Sequence, residues 1–268
     1  MRLRIVLALA ALLGLGPALR AHAAAPVIAA VIAQAETGIG LGLSGTYTQY
    51  HESLGPVSDS ENGGLAGFEF RASRLGEGGP ASLYTALIYD FSGGFLGYDG
   101  FTQDGLGYAA RDRAFFNHVE VRLGRGFALM PGMELIPFLA GGYQNWYRNM
   151  TGPAGYGEFY QAGLAGAGLK LDLAATDDLV LSASAEGAAV IGGSVSAPAL
   201  DFSGGFGASG EEAVRLGADW RLDGNWHVFL GLGVSHFSYT GSGIDNGFYE
   251  PPSGTLQLRS VLGMSYGF

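Results

Sequence analysis

Apolar and polar residues alternate with a period of two through ten separate segments of this chain, and no other feature constrains the fold as much. In an extended strand, residues i, i+2 and i+4 share one face. Between residues 255 and 268, one face carries Leu256, Leu258, Leu262, Met264, Tyr266 and Phe268, with Ser260 as its polar exception. The other face carries Thr255, Gln257, Arg259, Gly263, Ser265 and Gly267, with Val261 as its apolar exception. The same division sets Val214, Leu216, Ala218, Trp220 and Leu222 against Arg215, Gly217, Asp219 and Arg221. It sets Phe68, Phe70 and Ala72 against Glu69, Arg71 and Ser73, and Phe115, Val119, Val121 and Leu123 against His118, Glu120 and Arg122. It sets Leu169, Leu171 and Leu173 against Lys170 and Asp172. Weaker forms run through 38–51, 81–92, 134–150, 179–191 and 226–239. Clusters of Gly, Asp, Asn and Pro separate the segments, which is the strand-and-turn signature. Short connections near 76–80, 126–132, 176–178 and 223–225 alternate with long ones near 54–63, 95–113, 151–158, 194–212 and 241–254.

Alternation alone also fits a soluble β-sandwich, so the character of the two faces decides. One face is long and nearly unbroken in its apolarity. The other sets charges among Gly and Ser. In lipid every backbone polar group must be paired internally, which a closed barrel achieves. The chain is 48% hydrophobic and only 14% charged, yet past its N-terminus no apolar run approaches the ~20 residues a spanning helix needs. The expected fold is therefore all-β: a transmembrane antiparallel up-and-down β-barrel of about ten strands, with eight or twelve as alternatives. Tyr47, Tyr50, Tyr89, Tyr143, Tyr147, Trp226, Tyr266 and Phe268 are candidates for its interfacial girdles.

The N-terminus reads as an export signal. Arg2 and Arg4 precede an apolar stretch from Ile5 to Leu15, and Ala21-His22-Ala23 offers small residues for cleavage after Ala23. The expected organisation is a signal peptide over 1–23, a periplasmic segment over 24–37 and the barrel over 38–268. The absence of Cys excludes a disulfide scaffold, a thiolate zinc site and a thiol nucleophile. A formal charge of −10 with a single lysine, Lys170, excludes a nucleic-acid binder, which needs a basic stripe.

The C-terminal strand, with Met264, Tyr266 and the final Phe268 at alternate positions, resembles the last strand of Gram-negative outer-membrane barrels. The resemblance implies that these three residues are the signal read by the barrel-assembly machinery, and that the chain resides in the cell outer membrane. The ten-strand layout is similar to that of the small OmpA-like and omptin-like barrels. Residues 137–147, with Gly141, Gly142 and Tyr143, resemble a mid-barrel strand of that superfamily.

By parity, the lumen receives Glu69, Asp90, Glu120, Glu134, Asp172, Glu186 and Asp219 as acids. It receives Arg71, Arg122, Lys170, Arg215, Arg221 and Arg259 as bases, with His118 beside them. An unpaired buried charge costs several kcal/mol, so these side chains are expected to pair and plug a narrow lumen. The connections hold Asp59, Glu61, Asp99, Asp104, Asp112, Glu158, Asp201, Glu211, Glu212, Asp245 and Glu250 against Arg111, Arg113 and Arg148, which reads as an acidic, solvated rim. Phe95, Tyr98, Phe101, Tyr108, Phe202 and Phe206 mark the second and fourth long connections as contact surfaces.

Three roles follow from this layout. The first is a structural or surface-interaction protein of the envelope. The second is a small cation-preferring pore. The third is an outer-membrane hydrolase. For the last, His236, Ser238 and Glu250 resemble the constellation of the outer-membrane lipid A deacylases, since a hydroxyl nucleophile needs an imidazole base and a carboxylate to orient it. The omptin resemblance would instead enlist Asp99 and Asp104 opposite Asp201, with no histidine near Asp201. His51, His118 and His227 lie on different strands, so no metal is expected, and no cofactor. Outer-membrane lipid and lipopolysaccharide are expected around the wall, and the ligand of the external loops stays open.

Overall fold

A computed structural model describes residues 25–54, 57–76, 82–102, 105–153 and 155–268. The expected leader over 1–23 lies outside them. One helix, α1 (Ala25–Ala35), precedes eleven strands. These are β1 (Gly38–Leu54), β2 (Val57–Leu75), β3 (Ser82–Phe101), β4 (Gly107–Met130), β5 (Met133–Asn149), β6 (Gly157–Ala174), β7 (Leu179–Ala197), β8 (Phe202–Gly205), β9 (Ser209–Asp223), β10 (Trp226–Tyr239) and β11 (Ser253–Gly267). Every pairing is antiparallel. β1 to β7 pair in chain order, β7 pairs with β9, and β9, β10 and β11 continue until β11 pairs with β1. Ten strands thus close a ring, and β8 is a short addition folded onto the end of β7. Closure leaves no free edge, which is what a hydrocarbon environment demands. No helix among the described residues is long and apolar enough to cross a membrane.

The outer wall is greasy. Leu43 is 79% exposed and Leu139 67%, and Leu83, Val121, Leu123, Leu169, Leu232 and Leu262 are also exposed. A water-soluble sheet buries one such face, whereas this one surrounds the molecule. Tyr47, Tyr143, Tyr147, Trp226, Tyr266 and Phe268 face outward as expected of girdle residues. Tyr50 does not. It is fully buried inside, because it shares parity with Thr46 and Thr48 on the inward face of β1.

Two of the connections expected to be long, 54–63 and 95–113, are mostly strand, whereas 151–158 and 241–254 lie almost wholly outside strands. β1 runs to Leu54 and β2 begins at Val57, while β3 runs to Phe101 and β4 begins at Gly107. Pairing continues past the Gly, Ser and Asp residues that read as loop. Each added rung satisfies backbone N–H and C=O groups, and the inward positions there carry buried Tyr50, Leu96, Tyr98 and Ala114. Tyr98 and Phe202, expected on a contact surface, are core residues of this extension, and Phe206 stacks against Tyr160 and Tyr239.

Within the segment expected to be periplasmic, 24–37, α1 is lodged in the end of the barrel where β1 begins and β11 ends. α1 bears no charged residue, and Ile32 packs among Leu75, Tyr84, Ala86, Ile136, Phe138 and Val180. Burying an isoleucine fully contributes about 1.5–3 kcal/mol, which favours docking over solvation. Close packing there needs Gly168, since a Cβ at that position would overlap the Phe138 ring.

Candidate functional site

The inward faces of the strands stack polar side chains in three levels. At the terminus-bearing mouth, Lys170 reaches Asp172 Oδ1 at 2.7 Å and also pairs with Glu36, just beyond α1. Arg221 pairs with Asp178 at 2.6 Å and donates to the Gln34 side chain of α1 at 2.9 Å. Arg221 therefore clamps the helix at the rim and is not part of the mid-lumen network. Glu134 points inward beneath Gly126, and among the described residues it has no basic partner within 4.0 Å.

The middle level is a charge network. Arg122 pairs with Glu120, and its Nη2 lies 2.9 Å from Glu186. Arg215 reaches the same two carboxylates at 3.4 and 3.2 Å. Arg259 lies 2.6 Å from Asp90 and 3.6 Å from Glu69, and His118 stands between Asp90 and Glu120 at 3.7 and 4.0 Å. On the adjoining wall Asp219 accepts from Arg71 at 2.6 Å and contacts His227 at 2.5 Å. Arg71 and Arg122 also lie over the rings of Phe229 and Phe138. A cavity of about 220 Å³ runs along this network, from Glu36 and Lys170 to Trp146 and Tyr239. Its roof is aromatic: Phe116, Trp146 and Tyr160 stack in sequence, and Tyr239 and Phe206 join them.

Above that roof sits a third level that the parity reading did not anticipate. Arg148 is 1% exposed, at the end of β5. Its Nε donates to Glu61 at 3.0 Å, and its Nη1 reaches Glu158 at 3.1 Å, Glu52 at 3.2 Å and the Tyr160 hydroxyl at 2.8 Å. Tyr160 contacts Glu250 at 2.8 Å, and Tyr50 donates to Glu52 at 2.5 Å. Nearby, Asp59 accepts from the Tyr98 hydroxyl at 2.6 Å and from the Phe101 amide at 3.0 Å. Asp112 accepts from the Asn149 amide at 2.5 Å. The Arg148 guanidinium lies over Tyr50, Trp146 and Tyr160. Asp59, Glu61, Asp112, Glu158 and Glu250 were expected to solvate the rim, and all five are buried. The strand extension turns Asp59, Glu61, Asp112 and Glu158 inward by the same parity that buries Tyr50, while Glu250, in the connection before β11, is held inside by the Tyr50 and Tyr160 hydroxyls.

This level lies outside the lipid band, because the outward residues beside it are polar: Gln49, His51, Asn62, Asn145 and Gln161. Carboxylates here outnumber cations. Burial, only partly offset by Arg148, pushes Glu61 up to about 8 and raises Glu52. Burial together with Glu52 and Glu158 holds Glu250 well above the usual carboxylate range, and burial also raises Asp112. The layer therefore holds protons near neutral pH. A signal for it was present in the sequence: Tyr50 and Glu52 continue the parity of Thr46 and Thr48.

The hydrolase constellation is not assembled. His236 and Ser238 face outward from β10, with the parity of Leu230 and Leu232, while Glu250 lies inside on the tyrosine hydroxyls. Of the omptin-like acids, Asp99 is exposed on the outer face and Asp201 caps a surface turn with φ 49°. Asp104 lies outside the described residues. Among the described residues no three His, Cys, Asp or Glu side chains are placed to hold a metal ion. Met264, Tyr266 and Phe268 project outward from the closing strand, exposed to lipid.

No family model matches the chain, and no curated protein matches its sequence. Solved structures do match. The outer membrane protease OmpT from Escherichia coli superposes with a TM-score of 0.54 at 11% identity, over 87% of this chain and 97% of that one. The transport unit of the autotransporter AIDA-I from Escherichia coli gives a TM-score of 0.44 at 8% identity, over 86% of this chain and 90% of that one. Ail from Yersinia pestis gives a TM-score of 0.31 at 11% identity, over 87% and 99%. At these identities the likeness concerns the fold. With its closed ring, apolar outer wall and charged interior, the chain has the transmembrane β-barrel fold that it shares with the outer membrane protease OmpT.

Proposed function

We propose that this protein is a closed, non-conducting outer-membrane barrel that acts as a structural and surface-interaction element of the envelope. The observation that carries this reading is the double obstruction of the lumen. α1 fills one mouth, and the Arg148 layer with its aromatic roof fills the other. The outward contact surface then lies on the external turns, where Leu106, Ile244 and Tyr249 are exposed. The connection that carries Ile244 and Tyr249 is tied to the one around Asp201: the Asn246 side chain donates to the Asp201 carbonyl, and the Ser203 amide donates to Asp245 at 3.1 Å. In planar lipid bilayers the purified protein should give no conductance steps at neutral pH.

A second reading, the small cation-preferring pore, is favoured by the excess of carboxylates at the external mouth. It predicts large cation-selective steps from the wild-type protein in the same experiment. Observing them would overturn the closed-barrel reading.

A further inference from the structure

Every Arg and Lys that points into the lumen has a carboxylate within 4.0 Å. Four arginines do not, among the described residues, and all four point outward from β2 and β4: Arg74, Arg111, Arg113 and Arg125. Two of these lie on aromatic rings. Arg111 sits 4.4 Å from the Phe95 centroid and Arg113 5.0 Å from that of Phe115. Arg74 and Arg125 have neither a carboxylate nor a ring among the described residues. They are exposed near the terminus-bearing end, opposite Thr85 and Leu83 of the intervening strand β3.

Their surroundings are apolar. Arg125 is flanked by Leu83, Leu123 and Phe127, all exposed on the lipid face. Beside it a groove of about 750 Å³ opens on the outer wall between β4 and β6, bordered by Phe127, Leu139 and Leu169 and floored by Gly124 and Gly168. An outward arginine in a barrel's lipid face costs about 2–4 kcal/mol at the midplane and less toward the interface, unless an anion meets it. Arg74 and Arg125 flank one strand with an offset of two residues along it, so they stand roughly 12 Å apart, within reach for two long side chains to converge on one phosphate.

We propose that this wall is a binding site for an anionic phospholipid. Arg125 and Arg74 hold the phosphate at the periplasmic interface, and one acyl chain lies in the groove between Phe127, Leu139 and Leu169. The occupant is a phospholipid of the inner leaflet, because the arginines sit at the end carrying the short turns.

The test is native mass spectrometry of the folded protein released from detergent micelles after addition of phosphatidylglycerol, phosphatidylethanolamine of the same chains, or lipid A. Wild type should retain phosphatidylglycerol preferentially. R74Q/R125Q should lose that retention about tenfold, equivalent to one charge-assisted contact of about 1.4 kcal/mol. R125K should retain most of it, and R111Q/R113Q should match wild type. Equal retention of phosphatidylethanolamine, a preference for lipid A, or an equal loss in R111Q/R113Q would each overturn the proposal. If R74Q/R125Q fails to fold, the wild-type lipid preference and the comparison with R125K still decide it.

Discussion

The middle and external levels of the lumen are both buried and both charged, yet they solve burial differently. In the middle level Arg71, Arg122, Arg215 and Arg259 face Glu69, Asp90, Glu120, Glu186 and Asp219, with two histidines in contact. Each carboxylate has a cation, and several share two. In the external level one guanidinium serves Glu52, Glu61 and Glu158, while Glu250, Asp59 and Asp112 rely on tyrosine hydroxyls and backbone amides. Shared pairing lets Glu120 and Glu186 each keep one arginine when the other arginine is lost. Reliance on one cation makes the second level a single point of failure.

The largest expected effect breaks that point. Arg148→Met strips the external layer of its only cation among the described residues, and uncompensated buried charge costs about 3–5 kcal/mol. The variant should unfold at lower temperature on heat-modifiability gels, while α1 should keep it closed to ions in bilayers. Unchanged melting would show that the layer is already neutral. In the middle level Arg122→Met should cost less, about 1–3 kcal/mol, because Arg215 still faces Glu120 and Glu186. If its melting shift equals that of Arg148→Met, the contrast between the two levels fails.

Acidity sharpens the comparison further. Glu61 is raised in the folded state to about 8, so the native protein binds more protons than the unfolded chain between that value and the ordinary carboxylate range. The stability of the external layer is then fully present at low pH and declines as pH rises toward 8 and beyond. Hydrogen exchange at the external ends of β1, β2 and β5 should speed up over that window, and Glu61→Gln should flatten the response. The smallest effect is expected from His236→Ala and Ser238→Ala. Both side chains lie on the outer wall, and their melting shifts should stay within about 0.5 kcal/mol. A changed lipid A profile in cells carrying Ser238→Ala would restore the deacylase reading.

The barrel was legible because parity is a local signal that repeats. Once Leu256 to Phe268 and Val214 to Leu222 divide into faces, lipid contact and lumen contact follow together. The middle network was legible for the same reason: residues such as Glu120, Arg122 and Arg215 sit on unmistakable strands. The external layer was hidden because Asp59 and Glu158 lie among Gly, Ser and Asn, whose propensity says loop, and Asp112 sits between two arginines that read as a solvated connection. What keeps those segments extended is pairing with neighbours that are equally long, which is a tertiary effect. α1 was missed for a similar reason. A short apolar helix after a leader carries no mark of its docking site, which is assembled from β2, β3, β5 and β7 around Ile32.

Only Glu36 and Thr37 separate α1 from the first strand of a ring that is sealed by β1 joining β11. A cork leashed this tightly has almost no search to make: wherever β1 is laid down, its stopper already stands at the mouth it fills.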